Sequence, residues 1–343
     1  ACFKIFIYAI LAALQMLQGF CAAHPSAVQA RSYLASLYLS LGGQTQAYRV
    51  LQQISLLQPD QPKVWDQLLP LAIAETDWPG AQQALEHFRE LAPHSPLVPY
   101  YQGRIAEGQN EWSKAREAYA KLAGTPLADE AQLRIAQTYY AQGQKSKALA
   151  ELQKLQARHP NDAQIPLLRA QLLQEEGNYA AAAQLLDQAL ERHPRDAALW
   201  YARGAIAELQ KDYAGMEKAM RIVIELRPDD AQAYNFIGYS LLERRQQLEQ
   251  AGAYLEKAIQ LAPEDANIQD SIGWYYHLQG DQKKALDYLQ KAHAQLGDEP
   301  EVLDHLGRVL WQLGRQQEAR ALWQRGLEKH PDSKELQEAL LHP

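Results

Sequence analysis

After Cys21 the chain contains no cysteine; the only two in its 343 residues, Cys2 and Cys21, lie in or beside an apolar N-terminal stretch. That excludes a disulfide framework and a thiolate metal site in the body of the protein. β-Branched residues are sparse and there are five Phe, whereas Ala, Leu, Gln and Glu abound, a composition that favours helix. Basic runs are missing and the formal net charge is −7, which excludes the clustered Lys and Arg that nucleic-acid affinity needs. A Gly-rich phosphate loop, HExxH and GxSxG are all absent. The expectation is a protein with no enzymatic activity, no cofactor and no metal.

One long apolar run interrupts this pattern. Residues 3–20, FKIFIYAILAALQMLQGF, carry only Lys4 and a few glutamines as polar residues. Such a run reads as a membrane anchor or the apolar core of an export signal, with Cys21-Ala22-Ala23 as small residues for cleavage. Phe20 stands directly before Cys21, where a lipoprotein signal needs a small residue. The other reading is a helix that packs as part of the body, with Ala13, Leu17 and Phe20 at packing positions. With the cysteine-free body, the first reading predicts a periplasmic, membrane-anchored or exported protein that touches the membrane through residues 3–20 if they are retained.

Proline spacing organises the rest. Prolines at 25, 59, 93, 126, 160, 194, 228 and 263 follow one another by 34, 34, 33, 34, 34, 34 and 35 residues. The next, Pro331, stands 68 residues on, twice 34, with Gly297 where the intervening proline would be. Ten positions after most of these prolines, and after Gly297, stands a small residue, as in Ala35, Gly103, Gly204, Gly238, Gly273 and Gly307. A second follows some twelve positions later, as in Ala47, Ala81, Ala251, Ala285 and Ala319, and a large one four later still, as in Leu51, Tyr119, Met220, Leu289 and Trp323. Small residues let two helices approach, and the large residue is expected to fill the gap between neighbouring repeats. Gly42, Gly143, Gly177, Gly280 and Gly314 fall where a first helix ends, and the prolines close the second. Leu69 and Pro70 break the pattern inside a first helix, and a kink is expected there. Met216 replaces one alanine, and ERRQQLEQ holds an extra residue.

A period of 34 with these positions in register resembles the tetratricopeptide-repeat family over residues 28–333. The resemblance implies an all-α, right-handed α-solenoid of about nine helix pairs, preceded by an apolar N-terminal helix. Residues 1–24 form the apolar segment or an extra solenoid helix, 25–333 the solenoid, and 334–343 a C-terminal cap. It also implies a concave groove lined by first helices, with the second, fifth, ninth and twelfth positions of each repeat facing inward. In the third and fourth repeats these are Tyr100, Arg104, Glu107 and Tyr140. The candidate partner-binding residues are Tyr201, Asn235, Tyr239, Asp270, Trp274, His277, Asp304, Arg308 and Trp311. Aromatic and Arg side chains carry much of the energy at protein interfaces. Family members that clamp a carboxylate use Lys and Asn at such positions. Asn235/Tyr239, Asp270/Trp274 and Asp304/Arg308 depart from that set.

NFIGYSLLER, DSIGWYYHLQG and EVLDHLGRVLWQLGRQQEARALW resemble the last repeats of bacterial envelope tetratricopeptide proteins. Among those are outer-membrane lipoproteins that act as adaptors for carboxyl-terminal processing proteases and deliver cell-wall hydrolases to them. A membrane-anchored regulator of lipopolysaccharide assembly ends in a cysteine-rich zinc module, which this chain lacks. The implied function is an interaction scaffold or adaptor of the bacterial envelope, binding a protein partner such as an envelope protease. An accessory or assembly subunit of a membrane complex and a small-ligand or peptidoglycan-fragment binder are the alternatives. His277 near Asp270 is the one acid–base couple from which an enzyme could be argued.

Overall fold

A computed structural model describes residues 2–245 and 247–343, the first ten of them as backbone. Among the described residues there are twenty helices and no strand. The chain divides into two compact units, Ala1–Pro160 and Asn161–Pro343.

In the first unit α1 (Cys2–Ala23) precedes four antiparallel helix pairs. These are α2 (Val28–Ser40) with α3 (Gln44–Leu57), α4 (Pro62–Ala74) with α5 (Trp78–Leu91), α6 (Leu97–Gly108) with α7 (Trp112–Ala120), and α8 (Ala128–Ala141) with α9 (Lys145–Arg158). The second unit holds five pairs and one closing helix. They are α10 (Gln164–Glu175) with α11 (Tyr179–Arg192), α12 (Ala197–Leu209) with α13 (Tyr213–Leu226), and α14 (Ala231–Glu243) with α15 (Leu248–Leu261). Then come α16 (Ala266–Leu278) with α17 (Gln282–Leu296), α18 (Pro300–Gln312) with α19 (Gln316–Lys329), and α20 (Lys334–Leu341).

The repeat pattern explains the boundaries. Gly42, Gly143, Gly177, Gly280 and Gly314 all have φ between +72° and +86°, the left-handed residue that ends a helix. Asp77, Asp212 and Asp281 then cap the second helices by accepting from backbone N–H groups three residues on. At the far end His159, His193 and His330 are C-caps, each followed by its proline. Four of the prolines' carbonyls are satisfied from six residues downstream. Trp65 and Trp200 donate their indole N–H, and Gln269 and Gln337 their amide N–H, at 2.7–2.9 Å to Pro59, Pro194, Pro263 and Pro331.

Packing within a pair follows from the small residues. Ala47, Ala81, Ala251, Ala285 and Ala319 are fully buried. The large residue that follows does not serve only the gap between repeats, as its position suggested. It first covers the glycine of its own pair: a Cβ on Gly103 would meet Tyr119, one on Gly238 Leu255, and one on Gly307 Trp323. On Gly273 it would sit 2.7 Å from Leu289 Cγ and 3.3 Å from the Leu289 backbone nitrogen, so the Leu289 side chain would have to move and the backbone give as well. Gly273→Leu is expected to cost about 1–3 kcal/mol by overpacking. An unchanged urea midpoint would show that α16 and α17 are not in van der Waals contact there.

Pro70 lies inside α4, which continues through it to Ala74. Its ring denies the Asp66 carbonyl the usual helical donor. The Tyr101 hydroxyl, from the next pair, lies 3.3 Å from that carbonyl and 2.9 Å from Asp66 Oδ1. Burial and the adjacent Asp66 carboxylate push the Tyr101 phenol well above its ordinary pKa, so it remains a donor.

The C-terminal part of α1 packs on α2 as a second helix would. Leu14 and Leu17 lie against the first core and Cys21 is buried in it. Arg31 ties the junction by donating to the carbonyls of Cys21 and His24 at 3.0 and 3.1 Å. Leu17 fits the packing position read from the sequence, but Ala13 and Phe20 are exposed. Among the described residues no helix is long and apolar enough to cross a membrane. Half of the membrane-segment expectation, residues 3–11 of 3–20, falls on side chains outside the described residues.

Candidate functional site

First helices of successive pairs touch one another in the second unit, α14 against α16 and α16 against α18. Together they line a groove of about 1190 Å³. Five of the residues singled out by sequence line it: Asn235, Tyr239, Asp270, Trp274 and Asp304. Tyr201, His277, Arg308 and Trp311 are not among its lining residues.

The centre of the groove is a buried ion pair. Asp270 on α16 and His305 on α18 are 6 % and 4 % exposed, and His305 Nδ1 lies 2.8 Å from Asp270 Oδ2. Burial alone would pull the imidazole pKa down. The Asp270 charge and hydrogen bond, with Glu301 and Asp304 adding, override it, and the net shift is upward. The shift favours the charged imidazolium facing Asp270. Asp270 Oδ1, on the other side of the same carboxylate, is buried and accepts no hydrogen bond.

Aromatic stacking fixes the imidazole. Trp274 stacks on His305 with centroids 4.3 Å apart and on His277 at 4.7 Å, both within 14° of parallel. Tyr239, from α14, has its ring 6.4 Å from His305 and donates its hydroxyl to Glu301 on α18. Burial first, then the Glu301 charge, push its pKa far up, so the phenol stays protonated as a donor. The contact spans α16, joining the first helices of two pairs that are not sequence neighbours.

His277 does not form the acid–base couple with Asp270 that its position suggested. Its Nδ1 lies 2.8 Å from Gln282 Oε1, and Gln282 donates back to the His277 carbonyl at 3.2 Å. Burial, against the Gln282 hydrogen bond, lowers its pKa and keeps it neutral. His305, the actual partner, is not legible as a site residue because it stands at the sixth position of its repeat, outside the inward set. A separation of 35 residues from Asp270, one more than the period, was the available signal.

The remaining residues have structural partners. Arg308 Nε donates to both Asp304 oxygens at 2.9 and 3.0 Å, taking up that charge. Burial raises the Asp304 pKa while Arg308 opposes the shift. Trp311 stacks on the buried Trp323 at 6.1 Å, with Arg320 over its ring at 5.2 Å, and belongs to the last core cluster. Tyr201 packs edge-on against Phe236 at 5.7 Å. In the first unit, Glu107 accepts from Tyr119 at 2.7 Å and pairs with Arg134 at 3.6 Å, Arg104 donates to Tyr100 at 3.4 Å, and Tyr140 is exposed on α8. Among the described residues no group of His, Cys, Asp and Glu could hold a metal ion.

Known proteins share the repeat. Sequence models described as Tetratricopeptide repeat match residues 130–162, 167–215, 229–296 and 300–342. The chain is 32 % identical over 191 residues to TPR repeat-containing protein PA4667 of Pseudomonas aeruginosa, an alignment covering 55 % of this chain. It spans about a third (32 %) of the length of that curated relative. A tetratricopeptide repeat protein from Parabacteroides merdae superposes with a TM-score of 0.53 at 19 % identity, covering 73 % of this chain and 98 % of that one. PilF of Pseudomonas aeruginosa does so with a TM-score of 0.52 at 19 % identity, covering 68 % and 100 %. At that identity the likeness concerns fold alone. With the 34-residue period and the paired helices, the matches establish that this chain is built of tetratricopeptide repeats.

Proposed function

We propose that the protein is a non-enzymatic adaptor of the bacterial envelope that binds a partner protein in the groove of α14, α16 and α18. The observation that carries this reading is the groove itself, wide, open, and furnished with aromatic side chains and a rigidly held charged pair. Helix-pair repeats leave such a surface because each pair buries only the faces that meet its neighbours. An envelope location is supported by the apolar run 3–20, and an adaptor role by the C-terminal segments NFIGYSLLER and DSIGWYYHLQG.

Affinity purification from native membranes, followed by mass spectrometry, tests location and partner together. The comparison is with Asn267→Trp, a bulky uncharged change at an exposed lining residue. The expected result is a defined set of envelope proteins with the natural chain and their loss with the variant, at an unchanged melting temperature. Equal recovery with both proteins would remove the groove from the function.

A further inference from the structure

The groove's chemistry is one-sided. Seven carboxylates line it, and no lysine or arginine does. Its one basic lining residue, His305, is spent on Asp270, and the nearby Arg308 is spent on Asp304. The field inside is therefore anionic in a concave site, where low-dielectric walls strengthen it.

A second observation points the same way. Asp270 is more than nine-tenths buried, and its Oδ1 accepts no hydrogen bond. Two other groove residues repeat the pattern: Glu208 Oε2 and Asn235 Oδ1 are buried with no donor. Buried polar atoms are ordinarily satisfied, and each exception asks for an explanation. Here all three exceptions are acceptors, so what the groove lacks is donors. A guanidinium offers five N–H donors in a planar fork and an ammonium three, each with a positive charge.

We propose that the groove of α14, α16 and α18 receives a cationic segment of the partner protein, an arginine or lysine side chain meeting the Asp270–Glu301 wall while apolar neighbours lie against Phe236, Trp274 and Leu296. The proposal rests on the reading of this groove as the partner-binding surface and adds the chemistry of what enters it. Glu301 is exposed and held in place by the Tyr239 hydroxyl, so it presents a charge that is already oriented. Orientation before binding reduces the entropy lost on association. The charges set register and on-rate, and the aromatic and aliphatic area supplies most of the affinity.

The test uses the full chain and fluorescein-labelled short peptides of alternating leucine and arginine. Matched peptides carry citrulline, the uncharged isostere, or glutamate at every arginine. Fluorescence anisotropy is expected to show saturable binding of the arginine peptide that weakens with salt. Citrulline should lose about tenfold, the loss of roughly one charge-assisted hydrogen bond, and glutamate should not bind. Glu301→Gln and Asp270→Asn should each weaken the arginine peptide by a similar factor; Glu249→Gln, an exposed carboxylate on α15 outside the groove, should not. Should the Asp270 variant fail to fold, Glu301→Gln decides alone. Equal affinity for arginine and citrulline peptides, tighter binding of the glutamate peptide, no binding of any, or binding indifferent to Asn267→Trp would each overturn the proposal. The groove could still pass the native-membrane purification in those cases, so the two failures are separable.

Discussion

Trp323→Ala is expected to cost about 3–5 kcal/mol, the range for truncating a buried aromatic. The indole is fully buried, and its N–H donates to the Leu303 carbonyl at 3.1 Å. It lies on Gly307 so closely that a Cβ there would come within 2.1 Å of Nε1. Alanine would leave a cavity that glycine, having no side chain, cannot relax into. The same cluster holds Leu289, Leu303, Leu306 and Leu336, so α18, α19 and the closing α20 lose their common support together. In a repeat array stability is a sum of local terms, and the damage should be graded along the chain. Hydrogen exchange should accelerate first at 300–341, with the pairs of the first unit little changed. Protection at 300–341 equal to that of the natural protein would refute the assigned packing.

His305→Gln is expected to cost a similar amount, about 3–5 kcal/mol, because it strands the buried Asp270 charge. Its signature is pH dependence. The folded-state pKa of His305 is raised above its ordinary value, so its contribution is fully present below about pH 6.5 and is lost as pH rises through the folded value. His277 works in the opposite sense: burial lowers its pKa, so the folded state resists protonation and that contribution falls on the acid side. Subtracting the variant's urea stability from that of the natural protein isolates His305. The difference should be largest at acid pH and shrink on going alkaline. A difference that stays flat with pH would mean that His305 is not held as a cation. Asp270→Asn combined with His305→Gln should cost less than the two singles added, since each single change leaves the other partner buried and unmatched.

The repeat architecture was legible because it rests on local rules applied many times. A proline cannot continue a helix, a glycine accepts the left-handed turn at low cost, and an alanine lets two helices close. Each rule acts within a few residues, so the 34-residue period records it directly. The small residues at 47, 81, 251, 285 and 319 are buried for that reason. The Pro70 departure was also visible, but not its remedy, because the Tyr101 hydroxyl that serves the freed carbonyl comes from another pair.

What the sequence by itself determined is therefore which residues belong to helices, where the helices stop and which faces meet within a pair. Tertiary structure alone decided which partners the residues of the candidate site find. Asp270 and His305 come together because α16 and α18 lie side by side, a contact that no period of 34 specifies at a separation of 35. Tyr239 reaches Glu301 across an intervening helix, 62 residues away. Trp311, at an inward position by register, turns to stack on Trp323 because the last pair has a core to close. Periodicity fixes the direction in which a side chain leaves its own helix. Which partner it finds depends on the stagger between pairs, and that is set by the summed packing of all of them.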